Sequence, residues 1–476
     1  MSIDTPKLPV KLKLVHGLGS VAYGIKDNGF STFLLIFYNQ VLGMDAKLVS
    51  FALMCALILD AFVDPVIGHL SDRTYTRWGR RLPWLYAAPI PLAAAWLLLW
   101  SPPDLPPTQM FFYLVAVAML VRTLVSACEV PSVALVPELT RDYDERTGLM
   151  RYRFLFGWAG GLLMLFLAYD VFLRATPEHP HGQLNPDGYW TYGLFGGGLM
   201  AAAVLLSAWG QHRRVAHLPE ARPERQGIAH GFGEVRSTLS HPAFLILLGA
   251  GAIAYTSQGI TFSISNYLYL FIWRFDEAAF AIYPWILFAS VVAAFFMVTP
   301  FHARFGKRET AMVSGCISVA FWLTPFALRL VDAWPTEGSN LSSALLFGFF
   351  FAANAFGVMV MISGSSMIAD IVEASEENTG RRSEGIFFAG NFFMQKCATG
   401  LGIFLTGLIV SMAGLPERAN PATVSETVID NLTLYYSALV LIAVIFSTAI
   451  FARFPISRAD HEARVAKLAA ARVAAE

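Results

Sequence analysis

Charged residues are scarce in this chain, and those present balance one another. Asp, Glu, Lys and Arg make up 14% of its 476 residues, whereas about 25% is usual for soluble globular chains. The formal net charge is zero, so the composition gives no reason to expect a nucleic-acid partner. In contrast, 56% of the residues are hydrophobic. This balance predicts a polytopic helical membrane protein.

Cysteine is also scarce, and no chemical motif of an enzyme is present. The four cysteines stand far apart in apolar segments, without the spacing of a metal site or a disulfide framework. We find no nucleophile elbow, metal motif or phosphate-binding loop, and we therefore expect no enzyme and no bound cofactor. The first residues lack the short apolar core and small-residue cleavage site of a signal peptide, which favours a cytoplasmic tail.

Twelve apolar segments are long enough to cross a bilayer, at about 20 residues each. They are numbered here as spans 1 to 12 and lie at 14–40, 48–70, 82–101, 109–137, 151–174, 190–211, 242–271, 279–301, 309–330, 340–368, 384–412 and 430–453. A long polar connection, 212–241, separates a predicted N-terminal six-helix half (1–211) from a C-terminal half (242–455). A basic, Ala-rich tail follows at 456–476.

The basic residues predict the orientation of these spans. Most of the 34 Lys and Arg residues fall on the side of the two chain ends. The five on the opposite side are Lys47, Arg174, Arg274, Arg329 and Arg418. Because cytoplasmic loops carry the excess of Lys and Arg, both termini are expected in the cytoplasm. The protein itself is expected in the cell (inner) membrane.

The two halves repeat one another in their cytoplasmic loops. "RWGRR" (77–81) after span 2 returns as "RFGKR" (304–308) after span 8, and "PELTRDYDERTG" (137–148) after span 4 returns as "ADIVEASEENTG" (369–380) after span 10. Duplicated six-helix halves are typical of alternating-access transporters. We expect a monomer whose partners are the lipid bilayer and a small-molecule substrate.

Several motifs carry a family resemblance over the whole chain. "GHLSDRTYTRWGRR" (68–81) resembles the loop motif of the major facilitator superfamily. A more specific set resembles the glycoside–pentoside–hexuronide:cation symporters, the melibiose permease-like family: "YGIKDNGF" (23–30), "DAFVDPVIG" (60–68), "CEVPSVALVPEL" (128–139) and "GNFFMQKCATG" (390–400). The resemblance implies an all-α fold of 12 transmembrane helices in two six-helix halves, and cation-coupled uptake of a sugar or glycoside.

Two aspartates four residues apart in span 2, Asp60 and Asp64, predict the coupling site. Carboxylates so close together cannot both stay ionised cheaply inside a membrane, so the pair is expected to hold one proton or one metal cation. The resemblance also implies a cation site here. The residue before Asp64 is Val63, where the family has an Asn, and Val63 offers no oxygen to Na⁺. Ser126 in span 4 could supply one oxygen. We therefore favour co-transported H⁺ over Na⁺.

Other polar residues within the spans predict the substrate site. The resemblance implies sugar-binding roles for five residues: Lys26, Asp27, Glu129, Arg153 and Lys396. Arg122 joins them because an intramembrane charge normally faces a cavity and a partner. Isolated amides in the second half add three candidates: Gln258, Asn354 and Asn391. The cytoplasmic loops supply a predicted set of gating residues: Asp72, Arg73, Arg77, Arg80, Glu138, Arg304 and Asp370.

Two alternatives remain open. The family's aromatic residues in span 4 are replaced by Val125 and Val133, and the later spans are rich in Phe. Both features suit a carrier of a lysolipid or another amphipathic solute on the same scaffold. A non-transporting receptor is disfavoured, because such a protein would have no need of the intramembrane charges.

Overall fold

The computed structural model describes residues 7–140, 142–216, 240–379 and 384–455. Within these residues the fold is entirely helical, which confirms the predicted class. The helices are α1 Val10–Leu18, α2 Val21–Asn28, α3 Leu34–Ile36, α4 Ala46–Asp72, α5 Leu82–Ala87, α6 Pro89–Trp100, α7 Pro107–Leu139, α8 Tyr143–Leu167, α9 Pro186–Val215, α10 Pro242–Tyr267, α11 Glu277–Phe305, α12 Lys307–Leu330, α13 Asn340–Thr379, α14 Glu384–Met412 and α15 Glu426–Phe451.

Ten stretches of the described chain form helices long and apolar enough to cross a membrane, and they match spans 2 and 4 to 12. The other two predicted spans are interrupted. Span 1 is divided into α1, α2 and α3, with π-helical turns at Gly29–Phe33 and Phe37–Val41. Span 3 is divided between α5 and α6. The break falls before Pro89, which has no N–H to continue the helix and whose ring clashes with the preceding turn.

The chain forms two compact units. The first comprises Met1–Glu224 with Phe262–Asn266 and Pro416–Asn420, and the second comprises the remainder. Most of the predicted linker 212–241, and nearly all of the tail 456–476, lie outside the described residues. The predicted domain boundaries therefore stay a prediction.

Aromatic packing forms much of the core of the first unit. Trp96 and Trp100 of α6 are fully buried against Tyr189 and Tyr192 of α9. The rings of Trp100 and Tyr189 are stacked, with centroids 5.7 Å apart. Phe37 lies against Tyr189 at a centroid distance of 4.5 Å. Such large buried rings fix the ends of spans 1, 3 and 6 to one another.

Glycine allows two helices of each unit to cross at backbone contact. A Cβ atom on Gly24 of α2 would lie 1.8 Å from the carbonyl oxygen of Gly157 on α8. In the second unit, a Cβ atom on Gly402 of α14 would lie 2.3 Å from the carbonyl oxygen of Thr256 on α10. Small residues permit this close approach between membrane helices. In the first unit the crossing brings the polar residues of α2 close to α8.

The two units also share the turn that links their first and second spans. In the first unit the π-helical turn Phe37–Val41 is followed by Gly43, whose φ is +79°, and by Asp45, whose carboxylate caps α4. The matching features of the second unit lie 231 residues later, at Leu268–Ile272, Arg274 (φ +49°) and Asp276. The repeat read from the loops that are predicted to be cytoplasmic is thus also present in the backbone, in the turn that follows the first span of each unit.

Candidate coupling and substrate site

Helix α4 carries the two aspartates on one face. Asp60 and Asp64 are one helical turn apart, and Asp60 is buried while Asp64 is half-buried. Pro65 lies inside the helix directly after Asp64. Because proline has no N–H, it leaves the carbonyl of Ala61 without its usual helical donor. The helix is therefore locally weakened at the position of the carboxylates.

Ser126 of α7 lies between the two carboxylates. Its hydroxyl oxygen is 3.0 Å from Asp60 Oδ1 and 2.6 Å from Asp64 Oδ1. Both are hydrogen-bonding distances, yet a serine hydroxyl has a single proton to donate. That proton can satisfy one contact, and a proton carried by a carboxyl group would satisfy the other. The geometry of the three side chains thus suits the binding of one proton.

Arg122 stands one helical turn before Ser126 on α7 and joins the same cluster. Its Nε donates to Asp60 Oδ2 at 3.2 Å, and both side chains are at least 95% buried. Its guanidinium lies over the ring of Phe30, 4.8 Å from the centroid. The sequence assigned Arg122 to substrate, whereas the structure pairs it with an aspartate of the coupling pair.

A second polar cluster follows on α7, towards its C-terminal end. Arg153 of α8 is buried, donates to Ser132 Oγ at 2.6 Å and lies 5.4 Å from the ring centroid of Tyr23. Glu129 is half-buried, three residues before Ser132 and three after Ser126. Three residues correspond to about 4.5 Å along a helix. The coupling candidate Ser126 and the substrate candidate Glu129 are therefore about one turn apart on a single helix.

The Lys–Asp pair of span 1 is held together at the end of α2. Lys26 is buried and its Nζ lies 2.5 Å from Asp27 Oδ1, while the side chain of Asp27 is 66% exposed. A carboxylate facing hydrocarbon would cost at least about 2.5 kcal/mol. Asp27 is thus expected to face water or substrate.

The predicted amides of the second unit make contacts between helices of that unit. Asn354 donates to Ser290 Oγ at 2.6 Å, and Asn391 donates to the Tyr255 hydroxyl at 3.3 Å. Gln258 donates to the sulfur of Met361 at 3.3 Å, and Lys396 is half-buried. Hydrogen bonds of this kind join membrane helices. For the three amides the structure therefore shows contacts between helices, and substrate binding by them and by Lys396 stays a prediction.

Ion pairs close the loops that are predicted to be cytoplasmic, within each unit. In the first unit Arg80 pairs with Glu138 at 2.7 Å, and the buried Arg81 pairs with both Glu138 and Asp72. In the second unit Lys307 pairs with Asp370 at 2.5 Å. Among the other predicted gating residues, the exposed guanidinium groups of Arg77 and Arg304 lie over neighbouring rings, and Arg73 is exposed at the end of α4.

Three residues of these clusters, Arg81, Lys307 and Ser132, were not among the candidates predicted from the sequence. The loop repeat could have identified two of them, because "RFGKR" places Lys307 where "RWGRR" has Arg80, and Arg308 where it has Arg81. Ser132 gave no comparable signal, since its contact depends on how the helices are rotated.

Replacing Arg81 by glutamine is expected to lower the free energy of unfolding by about 2 kcal/mol. The change would remove the partner of two carboxylates and a 2.6 Å hydrogen bond to Ser71. The melting temperature of the purified protein in detergent measures the effect. Arg77→Gln, in the same loop but exposed, is the control and should change little. Equal shifts in the two variants would show that the Arg81 contacts do not stabilise the loop.

Long apolar helices, buried intramembrane charges and a repeated unit define a secondary membrane transporter. The chain belongs to the family described as MFS/sugar transport protein, whose model matches residues 15–458. This family and fold are those of transporters and not of enzymes, as the sequence predicted.

Relatives named as symporters or transporters match most of the chain. It is 31% identical to the uncharacterized symporter sll1374 of Synechocystis, with 88% of each chain covered. It is 24% identical to the isoprimeverose transporter of Lactiplantibacillus pentosus, covering 86% of this chain and 81% of that protein. It is also 24% identical to the sodium-dependent lysophosphatidylcholine symporter 1 of Gallus gallus, covering 96% of this chain and 88% of that protein.

The fold is likewise found among solved structures. The crystal structure of a D-xylose-proton symporter superposes with a TM-score of 0.64 at 15% identity, covering 92% of this chain and 97% of that one. At this identity the likeness concerns the fold, which is the major facilitator fold expected from the sequence.

Proposed function

We propose that the protein is a proton-coupled symporter of a sugar or glycoside that works by alternating access. The observation that supports the proposal is Ser126, whose hydroxyl contacts Asp60 and Asp64 at distances that one added proton would satisfy. A proton needs only a carboxylate, whereas a metal cation would need several oxygen ligands. Val63, next to Asp64, provides none.

Charge links proton binding to substrate binding. An added proton removes one negative charge from a buried cluster, which lowers the cost of closing the site away from water. Glu129 lies about one turn beyond Ser126 on α7, and Arg153 of α8 contacts the same part of α7 through Ser132. Both side chains can form hydrogen bonds with the hydroxyls of a sugar there. The units are proposed to rearrange as rigid bodies around the filled sites, and not when only one of the two sites is filled.

The remaining predictions complete this proposal. Both termini lie in the cytoplasm, since Lys and Arg are concentrated in the loops on that side. The protein works as a monomer in a cell (inner) membrane, and its cargo is a small molecule. H⁺ is its co-transported ion, and no bound cofactor or nucleic acid takes part.

Uptake into proteoliposomes tests the proposal. A panel of radiolabelled pentosides, glycosides and hexuronides is offered first under an inward pH gradient and then under an inward Na⁺ gradient at constant pH. We expect at least one sugar to accumulate under the pH gradient alone. Asp64→Asn is the matched control, since it keeps an oxygen acceptor for Ser126 but removes the carboxyl group proposed to bind the proton. Accumulation that is equal in this variant would refute coupling at Asp64.

A second candidate function is transport of a lysolipid. It is favoured by the similarity to the lysophosphatidylcholine symporter along 96% of the chain. It is also favoured by Val125 and Val133 in α7, where a sugar carrier would gain from an aromatic platform. Competition separates the two candidates: an excess of lysophosphatidylcholine should leave sugar uptake unchanged if the first proposal is correct. Uptake of a labelled lysolipid, driven by Na⁺, would instead support the second.

A further inference from the structure

Arg122 is an unusual neighbour for a cation site, because it brings a permanent positive charge to it. We infer that Arg122 is a built-in counter-ion that takes the place of a metal cation and limits the site to one transported charge. The inference rests on the proposed function, since it concerns the ion that drives the same transport. It assigns Arg122 to ion selection rather than to substrate.

The net charge of the cluster formed by Asp60, Asp64 and Arg122 sets how many further charges it can hold. Asp60 and Asp64 bring two negative charges when ionised, and Arg122 brings one positive charge that it keeps at any physiological pH. One further unit charge then makes the cluster neutral. Without Arg122, a single proton or monovalent cation would leave a net charge buried in the membrane, which is costly.

The contacts of Asp60 also favour a proton over a metal ion. Arg122 Nε donates a hydrogen bond to Asp60 Oδ2, and the Ser126 hydroxyl lies within hydrogen-bonding distance of Asp60 Oδ1. Both oxygens of this carboxylate therefore already have partners. The guanidinium is fixed by burial and by the ring of Phe30. A metal ion at Asp60 would have to displace Arg122 or lie beside its positive charge, and Nη1 of Arg122 is itself buried and has no hydrogen-bond partner among the described residues. A proton requires no such displacement.

Removal of the guanidinium should therefore open the site to sodium. In Arg122→Gln, the carboxylates of Asp60 and Asp64, the Ser126 hydroxyl and the new amide oxygen form a set of oxygen ligands, which hard cations prefer. Arg122→Lys keeps the positive charge and serves as the matched conservative variant. It should retain the ion preference of the unaltered protein.

Ion binding can be measured on the purified full-length protein without any substrate. The melting temperature in detergent is compared between 100 mM choline chloride and 100 mM NaCl at constant pH. We expect no difference for the unaltered protein or for Arg122→Lys, and a rise of about 2–4 °C in NaCl for Arg122→Gln. Binding of ²²Na⁺ should follow the same pattern. A general structural role for Arg122 would lower all melting temperatures without making them depend on Na⁺.

Two outcomes would overturn the inference. One is saturable ²²Na⁺ binding to the unaltered protein, a measurement that does not depend on whether Arg122→Gln folds. The other is a folded, monodisperse Arg122→Gln protein that shows no response to Na⁺. Failure of sugar uptake would leave both readouts intact, because neither involves substrate, and would count against the proposed cargo alone.

Discussion

Replacing Asp60 by asparagine is expected to lower the free energy of unfolding by about 3–5 kcal/mol and to abolish gradient-driven uptake. Asp60 is the buried partner of Arg122 at 3.2 Å. Removal of one member of a buried ion pair leaves the other charge uncompensated, which is among the most costly single changes in a protein. The unfolding transition in detergent and proteoliposome uptake measure the two effects.

Two further variants separate the structural part of this effect from coupling. The free energy of unfolding of Asp64→Asn should lie within about 1 kcal/mol of that of the unaltered protein. Asp64 is half-buried, and its contact with Ser126 survives as a hydrogen bond to the amide oxygen. The double variant Asp60→Asn/Arg122→Gln should recover most of the lost stability, because it leaves no unpaired charge. If the double variant instead lost as much free energy of unfolding as Asp60→Asn and Arg122→Gln lose together, the pairing of these two side chains would be contradicted.

Replacing Gly24 by alanine is expected to destabilise the first unit by about 3 kcal/mol, at the upper end for an overpacked site. The new methyl group would lie 1.8 Å from the carbonyl oxygen of Gly157 and 2.7 Å from the backbone nitrogen of Gly161. Neither backbone atom can rotate away, so α2 and α8 must separate. Lys26 and Asp27 follow directly on α2, and their position relative to Arg153 should change as well. The melting temperature and the monodisperse fraction on size exclusion measure the result.

Gly198→Ala is the control for this prediction. Gly198 is in the middle of α9, and a Cβ atom there would have no neighbour within 4 Å. Its substitution should leave the melting temperature nearly unchanged or raise it slightly, since alanine favours a helix over glycine. A Gly24→Ala protein as stable as Gly198→Ala would mean that the two helices do not depend on backbone contact.

The sequence was sufficient to predict the helical class, the family and the position of ten continuous spans. These follow from composition, from run length and from loop motifs, which do not depend on how helices are rotated. The interruptions of spans 1 and 3 could not be read in this way. An apolar run has the same hydropathy whether it forms an α-helix or a π-helical turn, and the effect of Pro89 depends on the packing around it.

Contacts between helices were the least predictable part of the site. Arg122, Ser126 and Glu129 could be assigned to one face of α7 from their spacing alone. Spacing could not tell that Arg122 pairs with Asp60 rather than facing substrate, because that depends on the rotation of α7 against α4. For the same reason Asn354 and Asn391 gave no sign that their partners are Ser290 and Tyr255.

The π-helical turn that ends the first span of each unit carries information about ancestry. A π-helical turn holds one residue more than an α-helical turn, and a single-residue insertion into a helix produces one. Phe37–Val41 and Leu268–Ile272 occupy equivalent positions, each followed by a capping aspartate at the same distance. Matching turns are what is expected if both halves descend from one six-helix segment that already carried the extra residue. On that expectation the irregularity is older than the joined chain, and it preceded the divergence of the two halves.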